Sequence, residues 1–301
     1  MTSLLELPVP EASAEEIRAI AAEHFGLTGD LTRLDGERDL NVLIESEDGR
    51  FVLKIANSAE ASEASDLQAA ALEHIAAVDP CLPVPRLRRS LDGRRVDRVS
   101  LDGLDHGVRV VSFLEGTTNW PGTTTPRLSA ATGSMLARLQ RALAGFFHPA
   151  GGRTILWDAR SAVGLLDWVE AIDDRSTRTA VTSVLERFAD RTQPALAHLP
   201  AQPIHNDFHR GNLLIDRDGQ TILGIIDFGD LVHGTRAQDV AVACSYAMLE
   251  TPDPLGVIAR LITAFTDVTP LRQEELDSIG ELIGVRLAQS LTIGSWRAAR
   301  H

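Results

Sequence analysis

Between Ala14 and Phe25 the apolar residues Ile17, Ile20 and Phe25 recur near one helical face, and Ser13 with Glu16 forms a capping-box pair, which predicts a helix. The period then shortens. Thr32–Leu34, Asn41–Ser46 and Phe51–Ile55 read as three strands, with Glu47-Asp48-Gly49-Arg50 as the turn between the last two. Along the third strand Leu53 and Ile55 face one side and Lys54 the other. A helix follows over Glu63–Val78 and ends at Asp79-Pro80. Two more strands are predicted at Arg86–Leu91 and Val108–Phe113, joined by a hairpin rich in Gly, Asp and Arg.

After Glu115-Gly116 the pattern becomes helical. Thr117–Thr125 is a polar connector, and Thr125-Pro126 caps a helix carrying Leu128, Met135, Leu139, Leu143 and Phe146. Helical spacing returns at Ala162–Ile172, Arg178–Leu199, Arg236–Leu249, Leu255–Phe265 and Arg272–Ile293, while Pro203–Asp230 breaks into short strands and turns. No internal repeat is visible. The expected class is α+β: a small strand-rich lobe over residues 1–115 and a larger helical lobe over 116–301.

Composition narrows the function. The 301 residues include 42 acids against 29 bases, a net charge of -13 that argues against a nucleic-acid partner. Lys54 is the single lysine in the chain. Two cysteines, Cys81 and Cys244, cannot make a disulfide framework, no secretory signal is evident, and no apolar run reaches the roughly 20 residues of a membrane span. A cytoplasmic protein without a membrane partner is expected.

The chemistry concentrates in one stretch. His205-x-Asp207 is followed five residues later by Asn212, then by a hairpin (Leu213–Ile215, Ile222–Ile226) that ends in Asp227-Phe228-Gly229. Phosphoryl transfer needs a carboxylate beside the attacking hydroxyl and oxygen ligands that hold Mg²⁺ against the nucleotide phosphates. Asp207 suits the first role, and Asn212 with Asp227 the second. A competing reading takes His205, Asp207 and His209 as alternating Zn²⁺ ligands on a strand. It leaves Asn212 and Asp227-Phe228-Gly229 without a role.

These residues resemble the catalytic and metal-binding loops of the aminoglycoside phosphotransferase and choline kinase family, a branch of the protein-kinase-like fold. The resemblance implies a two-lobed kinase-like fold with ATP or GTP as phosphate donor and Mg²⁺ as cofactor. It assigns Lys54 to the α- and β-phosphates, with Asp66 as its acidic partner and Glu63 as second choice. The loop around Gly36 takes the place of the phosphate-covering loop, and Val110–Gly116 resembles the hinge, where backbone at Ser112 and Leu114 would bond the base.

Within the family, Val52–Ile55, Asp66-Leu67-Gln68, Phe147-His148-Pro149, Trp157-Asp158 and Asp227–His233 through Tyr246–Leu249 look like the hydroxylysine kinase branch. That implies transfer to a hydroxyl of a small amino-bearing molecule, such as a hydroxylated amino acid or amino alcohol, with an aminoglycoside antibiotic as the alternative. Two departures concern the acceptor: His209 stands where that branch commonly has Asn, and Gly211 also differs. An acidic chain suits a cationic acceptor. Asp230 is the first candidate for contacting it, followed by Trp157, Asp158, Tyr246 and Glu250, while Asp239 matches a family acid expected to be structural.

Overall fold

The computed structural model describes residues 9–120, 122–249 and 251–300. Two compact units emerge, the first running through Glu115 and including Gly224–Gly229, the second comprising Gly116–Leu223 and the chain from Asp230 onward.

In the first unit, helix α1 (Ala14–Phe25) begins at the capping box of Ser13 and Glu16 and stops at Gly26, which adopts a left-handed conformation. Strands β1 (Asp30–Leu34), β2 (Leu40–Ser46), β3 (Gly49–Ile55), β4 (Leu87–Arg88), β5 (Asp97–Leu101) and β6 (Leu104–Ser112) form one antiparallel sheet in the order β1-β2-β3-β6-β4, with β5 also on β6. Helix α2 (Ser62–Val78) lies between β3 and β4 in the chain. Val42, Leu53 and Val110 are cross-strand neighbours, as are Leu40, Ile55 and Val108, and these residues join Ile17, Ile20 and Phe25 of α1 in one core. Alternation therefore turns Asn41, Lys54 and Arg109, which also stand opposite one another, to the other face.

Two predicted strands changed. Arg86–Leu91 shrinks to Leu87–Arg88, and the Gly-, Asp- and Arg-rich hairpin contains an additional strand, β5. Its buried Val99 and Leu101 alternate with exposed Arg98 and Ser100, a period-2 signal hidden between turn-forming neighbours.

The second unit is mainly helical: α3 (Pro126–Leu143), α4 (Arg175–Arg187), α5 (Gln193–Leu196), α6 (Arg236–Ala247), α7 (Pro254–Val268) and α8 (Gln273–Ala298). The predicted helix at 162–172 is a 3₁₀ segment, Ala159–Ala171. The expected Arg178–Leu199 helix divides into α4, a π turn at Phe188–Thr192 and α5, where Pro194 removes a backbone donor. Two short antiparallel pairs interrupt the helices: β7 (Ala201–Ile204) with β10 (Val232–Thr235), and β8 (Leu213–Ile215) with β9 (Ile222–Ile225). Among the described residues no helix is long and apolar enough to cross a membrane.

Arg109 is the main polar tie of the first unit. It is buried and donates to Ser65 Oγ (3.1 Å) and Gln68 Oε1 (2.7 Å) on α2 and to Asp39 Oδ2 (3.3 Å) in the β1–β2 loop. Removing a buried guanidinium leaves Asp39 and Gln68 without their donor. Arg109→Leu is therefore expected to cost about 3 kcal/mol, read as a lower urea midpoint; wild-type stability would contradict this role.

Candidate active site

The first unit carries the residues expected to meet a nucleotide. Asn41 Nδ2 donates to the carbonyl oxygens of Asp35 and Asp39, both at 3.4 Å, and closes the β1–β2 loop on itself. A Cβ at Gly36 would stand 2.3 Å from Asn41 Nδ2 and 2.4 Å from Asp39 O, so only glycine fits this tight loop. Lys54 is half-buried on β3. Asp66, its expected partner, lies instead against Arg95 Nη1 at 3.4 Å, and Glu63 accepts from Ser62 Oγ. Among the described residues no carboxylate, Asp66 included, pairs with Lys54. Two arginines of the following segment engage acids of α2: Arg95 pairs with Asp66 and Glu73, and Arg89 with Glu73.

The hinge expectation divides. Ser112 N–H donates to Arg86 O and Ser112 Oγ accepts from Arg86 N, both at short distance, so the Ser112 amide is already bonded. Leu114 stands two residues beyond the end of β6, and its backbone enters no hydrogen bond among the described residues. Asp227, also in this unit, adopts the left-handed region (φ 61°), and its Oδ1 accepts from Gly229 N at 3.0 Å. The neighbouring Ile225 N donates to Pro83 O.

The second unit carries the loop after β7. Asn206 sits at φ 64°, a conformation asparagine tolerates, and is held by Asp239 Oδ1 on its N–H (2.8 Å), Gln238 Nε2 on its Oδ1 (2.6 Å) and Trp157 O. Asp239, fully buried on α6, also accepts from His205 N and Gln140 Nε2. Burial pushes its carboxyl up, against the His205 charge and these donors. This acid supports the loop from behind.

The turn places Asp207 among donors on every side. Oδ2 accepts from Asn212 Nδ2 at 2.8 Å and lies 3.3 Å from His209 Nε2; Oδ1 accepts from Arg286 Nη2 at 2.5 Å. Gly211 N–H donates to His209 Nδ1 (3.0 Å), so neutral His209 carries its proton on Nε2 and donates to Asp207. Burial raises the Asp207 pKa, but the His209 bond and the Arg286 charge outweigh it and hold the carboxyl well below the usual range. Asp207 stays ionised.

Asn212 is oriented by the same contacts. Its Nδ2 faces Asp207 O (2.9 Å) and Oδ2, both acceptors, which turns Oδ1 away. Asn212 offers an amide oxygen and Asp227 a carboxylate, and both are donor types that Mg²⁺ takes. The zinc alternative does not fit: His205 Nδ1 and His209 Nδ1 accept from backbone N–H groups, and among the described residues no three His, Cys, Asp or Glu are placed to hold a metal.

Arg286 was absent from the expected set. It lies on α8, is buried, donates from Nη1 to Trp157 O (3.3 Å), and its guanidinium sits 4.5 Å from the Trp157 ring and 5.5 Å from Tyr246. A signal existed: Arg286 falls on the buried stripe Ile279, Leu282, Gln289, Ile293 of its helix. Trp157 and Tyr246, expected to meet a substrate cation, hold this arginine instead. Asp158 is fully buried, caps the 3₁₀ segment and accepts from Arg160 N and Nε. Asp230 is buried, and Glu250 lies outside the described residues.

A helical unit bearing this carboxylate loop, and an antiparallel sheet bearing a strand lysine, define a small-molecule kinase. The chain belongs to the Phosphotransferase enzyme family (APH), whose sequence pattern matches residues 30–275. It is 29% identical over 305 residues to hydroxylysine kinase of Danio rerio, covering 95% of this chain and 84% of that one. Homoserine kinase of Rhodopseudomonas palustris (strain HaA2) is 26% identical over 235 residues, 73% of this chain and 63% of that one. Among solved structures, a microcompartment-associated aminopropanol kinase superposes with a TM-score of 0.74 at 17% identity, covering 94% of this chain and 88% of its own. Amicoumacin kinase follows with 0.73 at 15%, covering 96% and 87%.

The two departures at 209 and 211 form one device. A Cβ on residue 211 would stand 2.8 Å from His209 Cε1, so the histidine ring requires glycine there. Gly211→Ala is expected to displace His209 and lower turnover, and adding His209→Asn should recover part of that loss. Additive losses in a double-mutant cycle would show the positions to be independent.

Proposed function

We propose that this kinase transfers the γ-phosphate of ATP or GTP to the hydroxyl of a small amino-bearing acceptor, with hydroxylated amino acids as the first class. The observation that carries this reading is the Asp207 carboxylate, ionised and held by Arg286, Asn212 and His209. Two curated relatives, hydroxylysine kinase and homoserine kinase, are named for acceptors of that class.

In this reading the acceptor hydroxyl donates to Asp207 and is aligned by it. The carboxylate is a weak base, which suits a loose phosphoryl-transfer transition state in which the hydroxyl proton leaves late. Lys54, which pairs with no carboxylate among the described residues, is the cation for the α- and β-phosphates, and Leu114 supplies backbone to the base. Bound Mg²⁺ would supply charge neutralisation at the phosphates, with Asn212 Oδ1 and Asp227 as its protein ligands. Residues through Glu115 act as the nucleotide-binding lobe, and residues 116–301 as the catalytic and acceptor-binding lobe. Asp230 remains the candidate for the acceptor's ammonium group. Small polar reactants rather than a nucleic acid or a membrane fit this set, in a cytoplasmic setting.

Local charge refines the acceptor. Asp207 and Arg286 together are neutral, so the carboxylate at the reacting hydroxyl offers no net attraction to a polycation. A zwitterionic amino acid suits such a pair better than an aminoglycoside. In a screen of nucleoside diphosphate release, hydroxylated amino acids should stimulate turnover most; stimulation by aminoglycosides alone would reverse the assignment.

Substitution tests the residues. Asp207→Asn is expected to retain nucleotide affinity and to lose at least about 100-fold in kcat, and full turnover would remove Asp207 from the chemistry. Lys54→Arg should weaken nucleotide binding, because the guanidinium fork does not substitute for a compact ammonium.

A further inference from the structure

We propose that Arg286 is a positioning residue of the phosphoryl transfer, holding Asp207 so that one lone pair of Oδ1 is presented to the acceptor hydroxyl. This rests on the reading of Asp207 as the residue that aligns that hydroxyl. Each carboxylate oxygen offers two lone-pair directions. On Oδ2 both are taken, by Asn212 Nδ2 at 2.8 Å and by His209 Nε2 at 3.3 Å. On Oδ1 one is taken by Arg286 Nη2 at 2.5 Å, which leaves a single direction. The acceptor hydroxyl therefore meets the same oxygen that the arginine grips, and Arg286 sets the angle of approach.

The guanidinium is itself held on several sides. Trp157 and Tyr246 lie against it at 4.5 Å and 5.5 Å, and Trp157 O accepts from Nη1 at 3.3 Å. Tyr246 also stands 4.3 Å from the His209 ring, so the second donor to Asp207 rests on the same aromatic. Arg286 Nε, by contrast, is buried and has no hydrogen-bond partner. A guanidinium placed only for stability would be expected to satisfy that donor. Here one buried N–H goes unpaired while Nη2 keeps its short bond to Asp207, which ties the placement of the group to the carboxylate.

The role does not reach the nucleotide. Among the described residues of the second unit, the Arg286 side chain meets Asp207 in the loop, Trp157 ahead of the 3₁₀ segment and Tyr246 on α6. Loss of the arginine should therefore act on kcat and on the acceptor, leaving nucleotide affinity alone.

The experiment compares Arg286→Ala and Arg286→Lys with the wild type in steady-state kinetics, with circular dichroism and thermal midpoint as checks of folding. Arg286→Ala is expected to lose about 100-fold in kcat, the scale of a misplaced reactant, with KM for the nucleotide within about 2-fold of wild type. Guanidinium chloride at millimolar concentration should restore part of the kcat of Arg286→Ala, and sodium chloride at equal ionic strength should not. Arg286→Lys keeps the charge without the fork and should recover only partly. A folded Arg286→Ala with wild-type kcat, or a parallel loss of nucleotide affinity without guanidinium rescue, would overturn the proposal. Should Arg286→Ala fail to fold, wild-type kcat in Arg286→Lys would overturn it instead. Asp207→Ala separates the two readings: inactive Asp207→Ala beside active Arg286→Ala removes only the role of Arg286, whereas active Asp207→Ala removes the reading beneath it.

Discussion

A carboxylate largely withdrawn from water must be supplied with donors, because an ionised group in a low-dielectric site is strongly disfavoured when unpaired. Much of the second unit is arranged around that requirement at Asp207. The backbone of its loop is pinned from behind by Asp239, which accepts the N–H groups of His205 and Asn206. Asn206 takes a left-handed conformation to turn the chain, and Asn212 folds back to bond both the backbone and the side chain of Asp207. His209 can join only because residue 211 has no side chain to block its ring. Arg286 completes the set from a helix 79 residues further along. The carboxylate is thereby kept ionised and fixed in direction, the two properties an aligning acceptor needs.

The first unit meets a different demand. In the proposed reading it holds a cation for phosphate without neutralising it beforehand. Among the described residues no carboxylate pairs with Lys54, while Asp66 and Glu73 of the adjacent helix are engaged by Arg89 and Arg95. Arg109, its cross-strand neighbour, does the structural tying instead and links the β1–β2 loop to α2. The two cations of this face thus differ: Arg109 is buried and bonded, and Lys54 is half-buried.

Legibility in the sequence followed the range of the interactions. His205, Asp207, Asn212 and Asp227-Phe228-Gly229 lie close together in the chain, so their resemblance to a phosphotransferase loop was visible in the sequence. Lys54 was legible from strand alternation, and α1 from its capping box. Pairings between distant segments were not. Nothing local shows that Asp66 would be taken by Arg95, that the Ser112 amide would bond Arg86, or that Trp157 and Tyr246 would enclose Arg286. The one trace of Arg286 was a charge on an apolar helical stripe, a pattern that marks burial without naming a partner. Strand β5 was missed for the opposite reason, its alternation being short and set among turn residues.

Charge shows how far composition can lead. A net charge of -13 pointed towards a cationic acceptor, yet the carboxylate expected to meet the reacting hydroxyl is paired with an arginine. Global charge governs approach, and local pairing governs what is held. The central claim is that Asp207 aligns a hydroxyl for attack on the terminal phosphate. Its most direct test follows the transferred group by ³¹P NMR, using the wild-type enzyme with Mg²⁺, a purine nucleoside triphosphate and a hydroxylated amino acid. The account predicts a phosphate monoester on the hydroxyl oxygen. A phosphoramidate on the amine, or inorganic phosphate alone, would contradict it.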